Sequence, residues 1–342
     1  MEHPVDQPPK ISKCQAAVKT LKSAFLDGYR FYDYRILPLS VMDFSNYIRV
    51  MSFAIVSAGI LESPTKITKR DIIGPALMRG ATLPVKNNAD NSTTVAGMTN
   101  RSAQLFGIYA NISAWGHEHI KPDAYSATIM QVSNESRRPT FPSLYNDNKL
   151  HFFAQWTTDR DWRTGCYNMD CPGFVPFRNT RADMPIPGMV VDAVSSYGGA
   201  DSSMVLQIVK DGRPGVGNGD WWLYRVSGPV RFPLGHWPAA LFTSLSRHAT
   251  VAAWYGAVGF PPRARDEPLP AMGSGRGPGE GYARAAYLAD IRLMDDMANP
   301  VDASMAYVMP LANAEGCYKV AMEDTNGPPY TFFYGGPVSH AC

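Results

Sequence analysis

The stretch Ser203-Met-Val-Leu-Gln-Ile-Val-Lys210, Asp211-Gly-Arg-Pro-Gly-Val-Gly-Asn-Gly-Asp220, Trp221-Trp-Leu-Tyr-Arg-Val226 decides the fold class. Two runs rich in β-branched and aromatic residues flank a loop with four glycines and a proline. That combination predicts a β-hairpin, because such side chains suit a pleated surface while Gly and Pro supply the turn. Similar runs follow at 151–156, 189–197, 251–260 and 318–323, and the last alternates with Tyr318, Val320 and Met322 on one face. Short strands at this spacing imply an all-β chain, an antiparallel sandwich or barrel. One helix is expected to interrupt them. Pro238 suits a first helical position, and Leu241, Phe242, Leu245 and Ala249 fall along one helical face.

The composition agrees with a turn-rich globular chain. Of 342 residues, 29 are Gly and 28 Pro, while 45% are hydrophobic and only 18% charged, which argues against a long disordered chain. A net charge of +2 is too small for the electrostatic footprint of a nucleic-acid binder. The longest apolar run, residues 50–61 between Arg49 and Glu62, is too short to span a bilayer, so no stable membrane insertion is expected. It has the size of a signal-peptide core but starts fifty residues in, so a buried helix or strand is the better reading. Arginine outnumbers lysine 15 to 4 in residues 103–342 but not before. This shift sets an expected boundary: 1–102 an irregular extension, 103–342 the β domain.

Five cysteines, Cys14, Cys166, Cys171, Cys317 and Cys342, fit two disulfides and one leftover thiol better than a zinc site, since twin closely spaced pairs are lacking. Sequons at Asn91, Asn100, Asn111 and Asn134 would be surface glycosylation sites in a secreted chain. Sequons and pairable cysteines together favour an oxidising compartment. No phosphate-binding glycine loop, G-x-S-x-G elbow or H-E-x-x-H occurs. His117-Glu118-His119 could offer two metal ligands from a strand, yet no third is identifiable. Neither a metal nor a cofactor is expected. His236 and His248 pair with no evident nucleophile. The acids nearest strand and turn signals are Glu135, Asp266, Glu267 and Glu280, and Trp156, Trp221, Trp222, Trp237 and Trp254 could supply core packing or stacking surfaces.

Thr164-Gly-Cys-Tyr-Asn-Met-Asp-Cys-Pro-Gly-Phe174, Ser195-Ser-Tyr197, Trp221-Trp-Leu223, Gly235-His-Trp-Pro238 with Leu241-Phe242, Met272-Gly-Ser-Gly275, Glu280-Gly281, Ala285-Ala-Tyr287, Cys317-Tyr318 and Phe333-Tyr-Gly-Gly-Pro337 occur in that order. From about residue 103 to Cys342 the chain resembles the neprosin family of plant proteins. Upstream, Ala16-Ala-Val-Lys-Thr-Leu-Lys-Ser23 with Asp27-Gly28 resembles, more weakly, the family's activation-peptide motif, so 1–102 reads as a degraded pro-region. The resemblance implies a curved β-sandwich of two antiparallel sheets, about seven strands each, with Cys166 paired to Cys171 and Cys317 to Cys342. It also implies a secreted glutamic endopeptidase acting on peptides next to proline. In such an enzyme one glutamate takes a proton from the attacking water while a second polarises the carbonyl and protonates products.

Both catalytic positions depart from that pattern. The family's second glutamate lies in a W-G-G-E-V stretch, and Trp254-Tyr-Gly-Ala-Val258 places Ala257 there. The first lies in an I-E-A-G-W-like stretch seven residues before the proline of a P-x-L-Y-x-D segment, here Pro142-Ser-Leu-Tyr-Asn-Asp147. Counting back gives Glu135, whose neighbours Asn134-Glu-Ser-Arg-Arg138 do not match, so the segment reads as deleted. The expectation is a neprosin-like sandwich without its acid pair. The alternatives are an active peptidase joining Glu135 to Glu267 or Glu280, and an aromatic surface binding peptide or polysaccharide.

Overall fold

The computed structural model describes residues 55–62, 92–117, 120–121, 124–134, 145, 147–158, 164–177, 184–212, 219–260, 268–303, 308–312, 316–323 and 329–338. In chain order the strands are β1 (Ile55–Glu62), β2 (Ser92–Leu105), β3 (Gly107–Ser113), β4 (Tyr125–Ser133), β5 (Leu150–Thr157), β6 (Gly165–Tyr167), β7 (Val175–Pro176), β8 (Ser203–Lys210), β9 (Trp221–Ser227), β10 (Val230–Trp237), β11 (Ala249–Phe260), β12 (Ala286–Met294), β13 (Pro300–Asp302), β14 (Val308–Ala312), β15 (Lys319–Met322) and β16 (Tyr330–Gly335). The first sheet runs β14-β2-β11-β4-β1-β5-β6. The second runs β15-β16-β12-β3-β8-β9-β10-β7, with β13 on β12. The all-β sandwich expected from the sequence is therefore present, with seven and nine strands among the described residues.

The hairpin read from residues 203–226 forms as expected. Lys210 pairs with Trp221, and the Asp211 N–H donates to the Asp220 carbonyl at 2.7 Å. Period-two alternation then sends Trp221 and Leu223 to one face and Trp222 and Tyr224 to the other. The inward rows of both sheets meet in one core. Met98, Met130, Val132, Phe152, Trp156, Ala252 and Trp254 come from the first sheet, and Ile108, Leu206, Ile208, Trp221, Trp237, Leu288, Phe332 and Tyr334 from the second. The Trp221 indole N–H donates to the Leu245 carbonyl at 2.8 Å, so burying the ring leaves no unpaired donor there.

Three expectations need correction. The helix after Pro238 is shorter than the apolar spacing to Ala249 implies: Ala239–Leu241 form a single 3-10 turn, and Ala249 already begins β11. Phe242 and Leu245 are buried as a helical face would bury them, but they arrive there through turns. The run at 189–197 makes only an isolated bridge, Val190 to His151. Asn100 is 1% exposed inside β2, between Ala252 and Val308, so it offers no surface for a glycan. Asn111 and Asn134 are half-buried, and Asn91 lies outside the described residues. The apolar run at 50–61 contributes β1, and both β1 and the first part of β2 lie upstream of residue 103.

Close approach of the sheets depends on glycine at specific points. A Cβ on Gly256 would lie 2.1 Å from the Tyr334 ring, whose hydroxyl is 2.5 Å from Thr128 Oγ1. On the opposite face of β11, a Cβ on Gly259 would lie 2.0 Å from the Tyr125 ring. Gly256→Ala and Gly259→Ala are each expected to lower the unfolding free energy by about 1–3 kcal/mol, the usual cost of overpacking. Gly279→Ala, with nothing within 4 Å, is expected to change it by less than about 0.5 kcal/mol. Urea unfolding midpoints of the three variants measure the difference.

Candidate functional site

Ala257 stands on the first sheet's outer face, near the middle of the sheet. Cα register places it between Val95 on β2 and Ala127 on β4, and the row continues through Leu61 on β1 to His151 on β5. The next row is Gly97, Tyr255, Ile129, Gly59 and Phe153. The one after is Thr99, Ala253, Gln131, Ser57, Gln155 and Tyr167. Val95, Tyr125, Ala127, Ile129, Phe153, Tyr167, Ala253, Tyr255 and Ala257 form one buried cluster on this face. Ala257 is fully buried in it, and none of these nine residues is an acid.

The polar chemistry on this face is that of hydrogen-bond donors. Burial, reinforced by neighbouring tyrosines, pushes the Tyr255 and Tyr167 phenols well above their ordinary pKa, so both stay protonated. The Tyr255 hydroxyl donates to Gln131 Oε1 at 2.7 Å, and the Tyr125 hydroxyl is 2.9 Å from Thr93 Oγ1. Gln155 is fully buried, and among the described residues neither atom of its carboxamide has a hydrogen-bond partner. A protonated phenol or a carboxamide can orient a polar group, but neither accepts a proton from water at neutral pH. A carboxylate at 257 would replace a methyl that now packs between two other apolar side chains.

At the end of the Ala257 row lies a His–Asp contact. His151 Nε2 is 2.9 Å from Asp147 Oδ1, and its Nδ1 is 2.9 Å from the Gly188 carbonyl. Both ring nitrogens thus face an acceptor oxygen, which fixes the orientation of the imidazole on β5. The Tyr145 ring stacks on the imidazole at 3.7 Å and 7°, and its hydroxyl accepts from Asn168 Nδ2 at 2.9 Å. Partial burial works to raise the Asp147 pKa, but the bonds from His151 and the Lys149 N–H outweigh it and hold the carboxyl below its usual range. Tyr145 and Asp147 thus fasten to β5 through His151.

Of the acids nominated from the sequence, only Glu280 is among the described residues. Glu135 and Glu267 lie outside the described residues, as does Asp266. Glu280 belongs to the second sheet's surface, where its Oε2 accepts from the exposed Tyr197 hydroxyl at 2.6 Å. The Arg276 guanidinium sits 4.7 Å over the Tyr197 ring. Beside it Tyr282 packs edge-on against Tyr287 and Phe333. The recurring Ser-Ser-Tyr, Glu-Gly, Ala-Ala-Tyr and Phe-Tyr-Gly-Gly-Pro stretches therefore meet each other on the second sheet. Trp156, Trp221, Trp237 and Trp254 belong to the core, and of the five nominated tryptophans Trp222 alone reaches the surface. It stacks on His236 at 4.6 Å with Phe177 edge-on at 6.3 Å. Sequence reading missed the buried polar residues Gln131, Gln155 and Tyr255 on two adjacent rows; the signal was polar residues alternating with apolar ones in strands whose two faces are both buried.

Cys166 and Cys171 are joined by a disulfide with Cα atoms 6.1 Å apart. Cys317 is also disulfide-bonded, while Cys14 and Cys342 lie outside the described residues. No helix among the described residues is long and apolar enough to cross a membrane. The family model named Neprosin matches residues 125–337, more than half of the chain, from the first residue of β4 to just beyond β16.

Two substitutions test this geometry. Gln155→Met removes a buried amide without partners among the described residues and is expected to raise the unfolding free energy by about 1 kcal/mol; a loss would show that the amide is satisfied in solution. Asp147→Asn is expected to cost about 1 kcal/mol at neutral pH. Because the folded carboxyl has a depressed pKa, its contribution is present above the unfolded value and is lost as pH falls through the folded one. Wild type and variant should therefore converge in thermal melts taken below the ordinary aspartate value of 3.8.

Proposed function

The chain belongs to the neprosin family, and on that premise we propose that it is a secreted neprosin-like protein which keeps the sandwich of a glutamic endopeptidase but has lost its acid pair. The observation that carries this reading is the setting of Ala257. The position matching one catalytic glutamate holds a methyl group, fully buried between Val95 and Ala127 in a cluster of apolar side chains and protonated phenols. Two-carboxylate hydrolysis needs one group able to take a proton from water and another able to give one back. The tyrosines cannot serve as the base, because burial raises their pKa further from neutrality. Glu280, held by Tyr197 on the second sheet, is no substitute for an acid on the first sheet's outer face.

Secretion is supported by the Cys166–Cys171 disulfide together with family membership. The Tyr255–Gln131 pair and the Gln155 carboxamide suit a face that orients a peptide without cleaving it. Purified protein incubated with proline-containing peptides at acidic pH is expected to give no cleavage by mass spectrometry. Robust cleavage that Glu135→Gln abolishes would overturn the proposal, since a functioning acid site would then exist without position 257.

A further inference from the structure

The first sheet contains a central strand that does not come from its neighbours in sequence. β4 ends at Ser133 and β5 begins at Leu150, yet the two are not adjacent: β1 lies between them and pairs antiparallel with both along its whole length, from Ile55 opposite Ser133 and Thr157 to Glu62 opposite Ser126 and Leu150. β4 and β5 therefore run parallel to each other, and the chain between them must return along the length of the sheet. In an antiparallel meander that return is itself the intervening strand. Residues 134–141 are also where the sequence reads as having lost a segment. The place of that strand is taken by residues that fall outside the family match, which starts at Tyr125.

We infer that Ile55–Glu62 is a substitute strand, recruited from upstream to fill a strand-accepting slot between β4 and β5, and held there by pairing rather than by its covalent connection. The slot suits this segment. Every residue of β4 and β5 is buried, so an empty slot would leave two rows of backbone N–H and C=O groups without partners in a dry setting. Gly59 takes the register position between Ile129 and Phe153, both fully buried. Ala58 stands between Met130 and Ala154 in the same way. Pairing along both edges is expected to hold the strand after a cut in the joining residues 63–91. The segment is thus part of the folded β-domain and not a dispensable leader. This goes beyond the proposed function and holds whether or not the protein cleaves peptides.

The test uses the full chain carrying Ala58→Cys with Ala154→Cys, residues placed opposite each other by the register. Mild oxidation and non-reducing peptide mapping should find a 58–154 link as readily as the link in a control pair, Val132→Cys with Ala252→Cys, across β4 and β11. A control link without the 58–154 link would overturn the inference. A second variant with a protease site inserted between residues 63 and 91 keeps the question open to refutation if the cysteine pair does not fold. After cutting, both fragments should co-elute in native buffer and separate only in denaturant; separation in native buffer would overturn it.

Discussion

The backbone pairing of Ile55–Glu62 on both of its edges is the constraint on which the first sheet depends. β11 and β4 on one side and β5 and β6 on the other are joined into one surface only through it. The rows that cross this strand set the geometry of the outer face, bringing Gln131 and Gln155 to either side of position 57 and aligning Ala257 with His151. Neither relation exists within a hairpin, since each spans strands from distant parts of the chain.

The outer face of the first sheet combines close backbone approach with buried hydrogen-bond donors. Gly97, Gly256 and Gly259 allow β2, β11 and the rings of Tyr334 and Tyr125 to approach as closely as they do. The tyrosine hydroxyls point to partners, and Asn168 pins β5 by accepting from the Ala154 N–H while holding the Tyr145 hydroxyl. What the face lacks is a carboxylate at 257. A methyl group there costs the fold nothing, because Val95 and Ala127 on either side are apolar. A buried glutamate would have needed a partner for its charge or a raised pKa. In this account stability and catalysis make opposite demands on one position.

Much of the fold was legible in the sequence because it is written locally. The glycine-rich loop between Lys210 and Trp221 closes the hairpin its residues prescribe, and β5, β8, β9 and β11 arise where aromatic and β-branched runs place them. The helix expected after Pro238 stops at a single 3-10 turn because the apolar spacing of Leu241, Phe242 and Leu245 is equally compatible with turns that lead into the core, and the following residues are claimed by β11. The tryptophans illustrate a second limit. Composition supplies them, but only the pairing of the sheets decides that Trp156, Trp221, Trp237 and Trp254 face inward while Trp222 does not. Position 257 was identified by motif alone; its burial among tyrosines follows from three strands meeting. The role of residues 55–62 was least legible, since an apolar run with Ala and Gly reads the same in a leader, a helix or a central strand.

Amide hydrogen exchange of the intact protein tests the continuity of the first sheet most directly. If Ile55–Glu62 fills the slot, its amides should exchange as slowly as those of β4 and β5 and lose protection in the same cooperative unfolding event. Exchange of residues 55–62 at the rate of an unstructured peptide, with β4 and β5 still protected, would contradict the account.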